Sequence, residues 1–330
     1  MSKKFVWIFN LVVIIIFAVI MIDFFGIFGS RKEITLQINE GDGLSVISDK
    51  FQEKNIVLSK TLFSLYCKIG ESKIAVTPGE ITVSASMSYP QLVKAIEKPS
   101  VEQFSITIPE GFETREIADR LFSNDIISDE NEFFDALKNY SFTLDDGTVI
   151  NGSENSLNGF LFPDTYIFEK KTPPETVIKV MTDNFKKHWL NEYTKQAKKL
   201  GMTVNEVVTL ASIIEREGNN ESDFKLISSV FHNRLNKNIK LESCATVQYI
   251  LSERKPVLSI KDTKIVSPYN TYQNEGLPPT AIASPGLLAI EAALYPDESD
   301  YLFFFTDKNG TTHFTHTINE HNKLINQYGL

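Results

Sequence analysis

Apolar residues open the chain as one block. From Phe5 to Ile22 it reads FVWIFNLVVIIIFAVIMI, uncharged, with Asn10 as its one polar residue, and Phe24, Phe25, Ile27 and Phe28 extend the run. Residues 5–28 are long enough to cross a bilayer as a helix. That length, and the lack of an A-x-A-like site after it, favour a retained anchor over a cleaved signal peptide. Lys3 and Lys4 precede the block and Arg31 and Lys32 follow it, so the charges nearly balance. The short tail, residues 1–4, favours an inside N-terminus with everything after Ser30 outside.

Past the anchor the pattern becomes periodic and repeats at an offset of about 70 residues. The copy from Ile38, INEGDGLSVISDKFQEKNIVLSKTLF, aligns without a gap on the copy from Ile108, IPEGFETREIADRLFSNDIISDENEF. Glu40 and Gly41 match Glu110 and Gly111, Ile47 and Asp49 match Ile117 and Asp119, and Phe51, Ile56 and Phe63 match Leu121, Ile126 and Phe133. Each copy predicts a short strand, a glycine turn, an amphipathic helix, and a second helix opened by Ser59 or Asp129, whose side-chain oxygens suit an N-cap. Between them GEITVSASMSYPQLVKAIEK predicts a strand, a turn and a helix. Two small strand-helix modules are thus expected between about residues 33 and 140. The pattern leaves a purely structural duplication and a binding role equally open.

Residues 141–156 (SFTLDDGTVINGSENS) are rich in turn formers and predict a loop or hairpin. LNGFLFPDTYIFEKKTPP follows, then a helical run from Pro174 to about Leu200, with Val177, Val180, Met181, Phe185 and Trp189 at helical spacing. The C-terminal region holds one strong helix, several Pro and Gly breaks, and the apolar strand YLFFFT.

Composition narrows the function classes. The 330 residues are 42% hydrophobic and 23% charged, the balance of a folded chain, and the net charge is -9. That charge argues against nucleic acid, whose binding needs basic groups on phosphates, and against a surface built to lie on anionic lipid. Cys67 and Cys244 form neither a disulfide framework nor a zinc pattern and leave the compartment undecided.

The strong helix is TVNEVVTLASIIERE. Thr203 is its expected N-cap and Glu206 completes a capping-box spacing. Val204, Val207, Val208, Ala211 and Ile214 mark the inward stripe, and Glu215 falls beside it, whereas Glu217 projects toward the more exposed flank. A carboxyl next to apolar packing loses solvation and holds its proton nearer neutral pH, as a general acid on a glycosidic oxygen requires. The competing reading is a salt-bridged surface glutamate. Ser212 lies within the helix without a G-x-S-x-G elbow, so a serine nucleophile is not expected. His313, His316 and His321 in HFTHTINEH lack metal-ligand spacing and read as structural or substrate-contacting histidines. The loop SPYNTYQNEGLPPTAIASPG carries amides, hydroxyls and tyrosine faces that suit sugars, or simply anchor a loop.

Taken together, IPEGFETREIADRL, LNGFLFPDTYIFE, LASIIERE, SVFHNRL, ATVQY, SPYNTY, GLPPTAIASPG and HFTHTINEHN make the chain resemble the YceG-like family of endolytic murein transglycosylases. The runs occur in the family's order and cover nearly everything after the anchor. The resemblance implies an α+β fold: a transmembrane anchor over 5–28, a LysM-like duplicated region over 33–140, and a mixed α+β catalytic domain over 141–330. It also implies a single-pass protein of the cytoplasmic (inner) membrane with its bulk outside. The family's catalytic glutamate, the Glu of an A-S-I-[VI]-E run, falls on Glu215, the residue the helix pattern favours. Where many relatives have Asp in a run like T-D-P-T-V, this chain has Ser243, Cys244, Ala245, Thr246 and Val247. A catalytic part for that Asp is lacking here, while a structural one could pass to a small buried thiol, so Cys244 stays outside the catalytic set.

The expected reaction is non-hydrolytic cleavage of the β-1,4 bond between N-acetylmuramic acid and N-acetylglucosamine, leaving 1,6-anhydro ends and terminating or trimming nascent strands. Glu215 serves as acid and then base. Glu217, Asn233, Thr246, Asn270 and Tyr272 are the substrate-binding candidates, with no metal or organic cofactor. Glycan strands are the expected partner, and cell-wall synthases are candidates through the family resemblance. The alternatives are a hydrolytic muramidase with Glu217 or another acid as second carboxylate, and a non-catalytic wall-binding scaffold.

Overall fold

The computed structural model describes residues 3–27, 29–39, 41–69, 74–98, 103–152, 157–251 and 253–328. Residues 1 and 2 of the tail, Phe28 of the apolar run, Glu40 of the repeat and residues 153–156 of the expected loop lie outside them. The chain is mixed α+β and forms two compact units, Met1–Glu102 and Gln103–Leu330.

In the first unit the apolar block becomes helix α1 (Lys3–Phe25), whose mean hydropathy of 3.1 and length suffice to cross a membrane. Then come β1 (Ile34–Ile38), α2 (Leu44–Glu53), α3 (Lys60–Ile69), β2 (Gly79–Val83) and α4 (Tyr89–Glu97). The strands pair antiparallel, Ile34 opposite Val83, and turn Leu36, Ile38, Ile81 and Val83 onto one buried face. Ile47, Phe51, Phe63, Leu92 and Ile96 from the helices close over that face with almost no exposed surface, each contributing about 1.5–3 kcal/mol by its burial.

The end of α1 is part of this unit. Asp23, buried, accepts hydrogen bonds from the Leu58 and Ser59 backbone N–H groups (2.7 and 3.1 Å) and from the Tyr89 hydroxyl (2.6 Å). Phe24 packs on Tyr66 and Tyr89 beside it. The anchor helix therefore runs into the fold rather than into a free tether. Asp23→Asn removes the charge and one acceptor from three donors, of which the Tyr89 hydroxyl is buried and the two backbone N–H groups part-buried. It should destabilise the unit by about 1–3 kcal/mol, read as a lower melting temperature of the full-length protein in detergent; an unchanged melt refutes the docking role.

The second unit opens with the second copy of the repeat: β3 (Gln103–Ile108), α5 (Thr114–Ser123) and α6 (Glu130–Asn139). The copies match in backbone as well as in sequence. Gly41 and Gly111 both take positive φ (88° and 74°), as do Asn55 and Asp125 (56° and 58°), again in register. Asp129 caps α6 through Asn131 N–H (2.6 Å), and Ser59 Oγ accepts from Leu62 N–H (3.3 Å) before α3. The copies differ in their closing strand. After the hairpin of β4 (Ser141–Thr143) and β5 (Val149–Asn151), β6 (Asp164–Glu169) pairs antiparallel with β3, Ile106 opposite Tyr166. That pairing is why the second copy belongs to the same compact unit as the C-terminal region.

The run from Pro174 to Leu200 is two helices, α7 (Pro174–His188) and α8 (Asn191–Lys199), rather than one. Trp189 and Leu190 leave helical geometry (ψ 94° and 152°), and the Trp189 Nε1–H turns to Thr194 Oγ1 at 2.9 Å. Helix α9 (Val204–Glu217) is the centre of the unit. Beyond the expected stripe, Thr209, Leu210, Ser212 and Ile213 are buried too, so its middle is covered on all sides. Around it lie α10 (Phe224–Asn236), α11 (Cys244–Ile250) and α12 (Leu287–Leu294). The hairpin of β7 (Phe303–Thr306) and β8 (Thr312–Thr315) and helix α13 (Ile318–Tyr328) finish the chain.

Candidate active site at the end of helix α9

The sequence starts α9 with a capping box: Thr203 Oγ1 accepts from Glu206 N–H (3.2 Å), and Glu206 Oε2 accepts from Thr203 N–H (2.7 Å). Inside the helix Ser212 is spent on structure, donating to Thr209 O and accepting from Ile282 N–H. The last turn then presents three consecutive ionisable residues. Successive side chains on a helix diverge by about 100°, so each meets a different loop.

Glu215 meets Gly286, the residue that opens α12, whose N–H donates to Oε2 at 3.0 Å. Burial pushes the Glu215 carboxyl up to about 7. The charges of Glu110 and Glu221 act the same way, and the Gly286 N–H and Arg216 oppose them. The negative end of α9 also disfavours a carboxylate in its last turn. A half-buried carboxylic acid that is protonated just below neutrality and faces a backbone donor can give a proton to a leaving oxygen and take one back.

Arg216 turns to the glycine turn of the second repeat copy, donating from Nη1 to Gly111 O at 3.1 Å. A Cβ at Gly111 would stand 3.7 Å from Glu215 Cγ, so this turn packs directly on the acid. Glu110, just before it, lies with its carboxylate against Gly286. Burial and the Glu221 charge raise its pKa.

Glu217 does not occupy the exposed flank. Its Oε1 accepts from the Ser243 hydroxyl (2.5 Å) and the Ala245 N–H (3.0 Å), holding the first turn of α11. Burial raises its pKa and these bonds oppose the rise. The helical period gave its direction; what it missed is the N-terminus of α11 waiting there.

The other candidates divide in two. Asn270 is fully buried, with Nδ2 donating to Thr263 O and Ile265 O and Oδ1 accepting from Tyr272 N–H. Thr246 is fully buried and bonded to Ser243 O and Thr271 Oγ1. Asn233 gives its Nδ2 to Ser299 O and Tyr301 O. These three hold irregular backbone together. Tyr272 instead borders open space, with Glu217, in a cavity of about 530 Å³ that Arg234, Cys244, Phe303, Phe305 and His321 also line. Cys244 is exposed rather than buried, and its Sγ lies 3.2 Å from the Tyr272 hydroxyl.

That cavity touches Glu217 and not Glu215. A smaller one, about 260 Å³ beside Glu113, Asn158 and Tyr249, touches neither. The carboxyl of Glu113 is committed to Arg115 and Arg254. Glu110 and Glu215 both join accessibility to a raised pKa without serving as a cap or in an ion pair. Of the two, Glu215 has its pKa raised to about 7 and faces a backbone donor, which makes it the candidate acid whatever the cavity sizes. Of the histidines, His313 Nε2 lies 3.0 Å from Asp307 Oδ2 and His316 Nδ1 3.0 Å from Asp300 Oδ1. His321 sits between the rings of Phe303 and Phe305.

The sequence pattern of the YceG-like family matches residues 36–327. The chain is 32% identical over 318 residues to an endolytic murein transglycosylase of Bacillus subtilis, covering 91% of this chain and 86% of that one. It is 30% identical over 326 residues to one of Streptococcus pneumoniae, but spans 59% of that protein's length. Among solved structures, a yceG-like protein of Listeria monocytogenes superposes with a TM-score of 0.60 at 32% identity, over 89% of this chain and all of that one.

Proposed function

The chain belongs to the YceG-like family, and on that premise we propose that it is an endolytic lytic transglycosylase of peptidoglycan with Glu215 as its acid/base. The enzyme cuts glycan strands internally. Protonated Glu215 gives its hydrogen to the oxygen linking C1 of N-acetylmuramic acid to N-acetylglucosamine, and the C1–O bond breaks. The resulting carboxylate then takes the proton of the muramyl 6-hydroxyl, whose oxygen bonds to C1. One 1,6-anhydro end and one free 4-hydroxyl result, no water is consumed, and Glu215 returns to its acid form. One carboxylate serves both steps because an internal hydroxyl replaces water, where glycoside hydrolases use a pair.

The observation that carries the reading is the Glu215 carboxyl, pushed by burial to about 7 and, among the described residues, bonded only to a backbone N–H. The muramidase alternative with Glu217 as second carboxylate is disfavoured by the engagement of that side chain with α11. The strand-helix-helix-strand order of β1, α2, α3 and β2 supports a LysM-like assignment for the first module. Helix α1 supports single-pass anchoring in the cytoplasmic membrane, with the bulk of the chain outside. Synthases of nascent strands are the proposed protein partners, to be sought by crosslinked co-purification.

The reaction is tested by digesting purified glycan with the full-length protein in detergent, in ¹⁸O-labelled water, followed by mass spectrometry. The expected products carry anhydro-muramyl ends without label; labelled reducing ends would establish hydrolysis instead.

A further inference from the structure

The carboxylate of Glu110 has no assigned task. It stands at the rim of the site, solvent-accessible, and among the described residues no hydrogen bond or ion pair neutralises it. Its seat is specific. A Cβ on residue 286 would lie 1.9 Å from Glu110 Oε1 and 2.2 Å from its Cδ, so the carboxylate occupies the space where another residue would have a side chain. The backbone of Gly286 does not itself demand glycine, since φ -73° and ψ 172° suit any residue. What a side chain at 286 would displace is the Glu110 carboxylate. The same residue gives its N–H to Glu215 Oε2, so two carboxyl groups share one glycine.

We infer that Glu110 is a positioning residue for the acid/base: seated on Gly286, its negative charge disfavours a second charge on Glu215 and so holds the proton there until substrate takes it. The inference rests on Glu215 being the acid. Like charges at such range raise the pKa of the group that must ionise second, and the rise at Glu215 has this contribution after burial. The other charged groups facing Glu215 are Glu221, which acts in the same sense, and Arg216, which opposes both. Arg216 also feels the charges of Glu113 and Glu116.

The sign follows directly. The reaction begins with protonated Glu215, so activity is lost as pH rises through its pKa. Removing the charge of Glu110 lowers that pKa and moves the alkaline limb to lower pH. In Glu110→Gln the limb should fall by about half a pH unit to one unit, with activity well below the limb kept within about threefold. The shift should shrink as salt rises. Gly286→Ala keeps the N–H to Glu215 and expels the Glu110 carboxylate, so it should move the limb the same way, and the double variant should go little further than either single one. A limb that stays in place in both variants overturns the inference. So does uniform loss at every pH without a limb shift, which would make Glu110 a substrate-contacting residue. Retained cleavage in Glu215→Gln would instead remove the acid/base reading itself, a distinguishable failure.

Discussion

Glu215→Gln is expected to lower glycan cleavage by about 10²–10⁴-fold, the contribution of a positioned general acid, while the fold survives. The amide oxygen can still accept from the Gly286 N–H that Glu215 Oε2 accepts from at 3.0 Å. The substitution also removes a carboxyl that burial makes costly to ionise, so the variant should melt at or slightly above the wild-type temperature. What it cannot do is donate a proton to the departing oxygen or recover one from the muramyl hydroxyl. Turnover on purified glycan, with a thermal melt of the same preparation, checks both halves. Wild-type-like turnover would remove Glu215 from the mechanism, and loss of the cooperative melt would make inactivity uninformative about chemistry. Glycan binding that persists without cleavage in the variant, beside an active wild type, also excludes a pure scaffold.

The environment of Glu215 was legible because it is local. Thr203 and Glu206 fix where α9 begins, the apolar stripe fixes its rotation, and position 215 then follows from the period of the helix. The same locality made the two repeat copies readable in sequence, and the structure extends the match to left-handed residues at Asn55 and Asp125. Distance in sequence hid the rest. Nothing in QFSITI announces that it pairs with DTYIFE across a hairpin and two helices, so a repeat seen as one region is divided between two compact units. Glu110 was visible only as a matched repeat position, which reads as architecture; its place on Gly286 needs the tertiary contact.

Three of the substrate candidates carry structural bonds that the sequence did not announce, for a related reason. Asn233, Thr246 and Asn270 have the side chains that suit sugar hydroxyls. The same side chains satisfy backbone groups where no ladder exists, and buried backbone must find partners. The segment between α11 and α12 has no strand among its described residues, and Asn270 alone bonds three of its backbone groups. Polar type in a long loop does not separate these uses. Exposure does, and Tyr272 keeps some while Asn270 and Thr246 have none.

Glu217 separates anchoring from catalysis, because its two neutral replacements should behave differently. Glu217→Gln retains an oxygen able to accept from the Ser243 hydroxyl and the Ala245 N–H, so it should keep α11 in place, with most of the stability and activity. Glu217→Ala strips both donors of their acceptor. Hydrogen bonds to a charged group contribute about 1.5–3 kcal/mol each, and a buried donor left unmet costs a similar amount. A loss of about 3 kcal/mol or more is therefore expected, read in denaturant unfolding. The first turn of α11 carries Cys244, which borders the same cavity as Tyr272, so loosening it should also blunt activity below the melting range. A second catalytic carboxylate would give the opposite pattern, with Gln as damaging to turnover as Ala and the melt barely moved by either. That outcome would revive the hydrolytic reading, since a base on this side of α9 could activate water. The engaged geometry of Glu217 argues against it: its Oε1 already receives a hydroxyl and an amide hydrogen from the first turn of α11, which ties the side chain to a structural task.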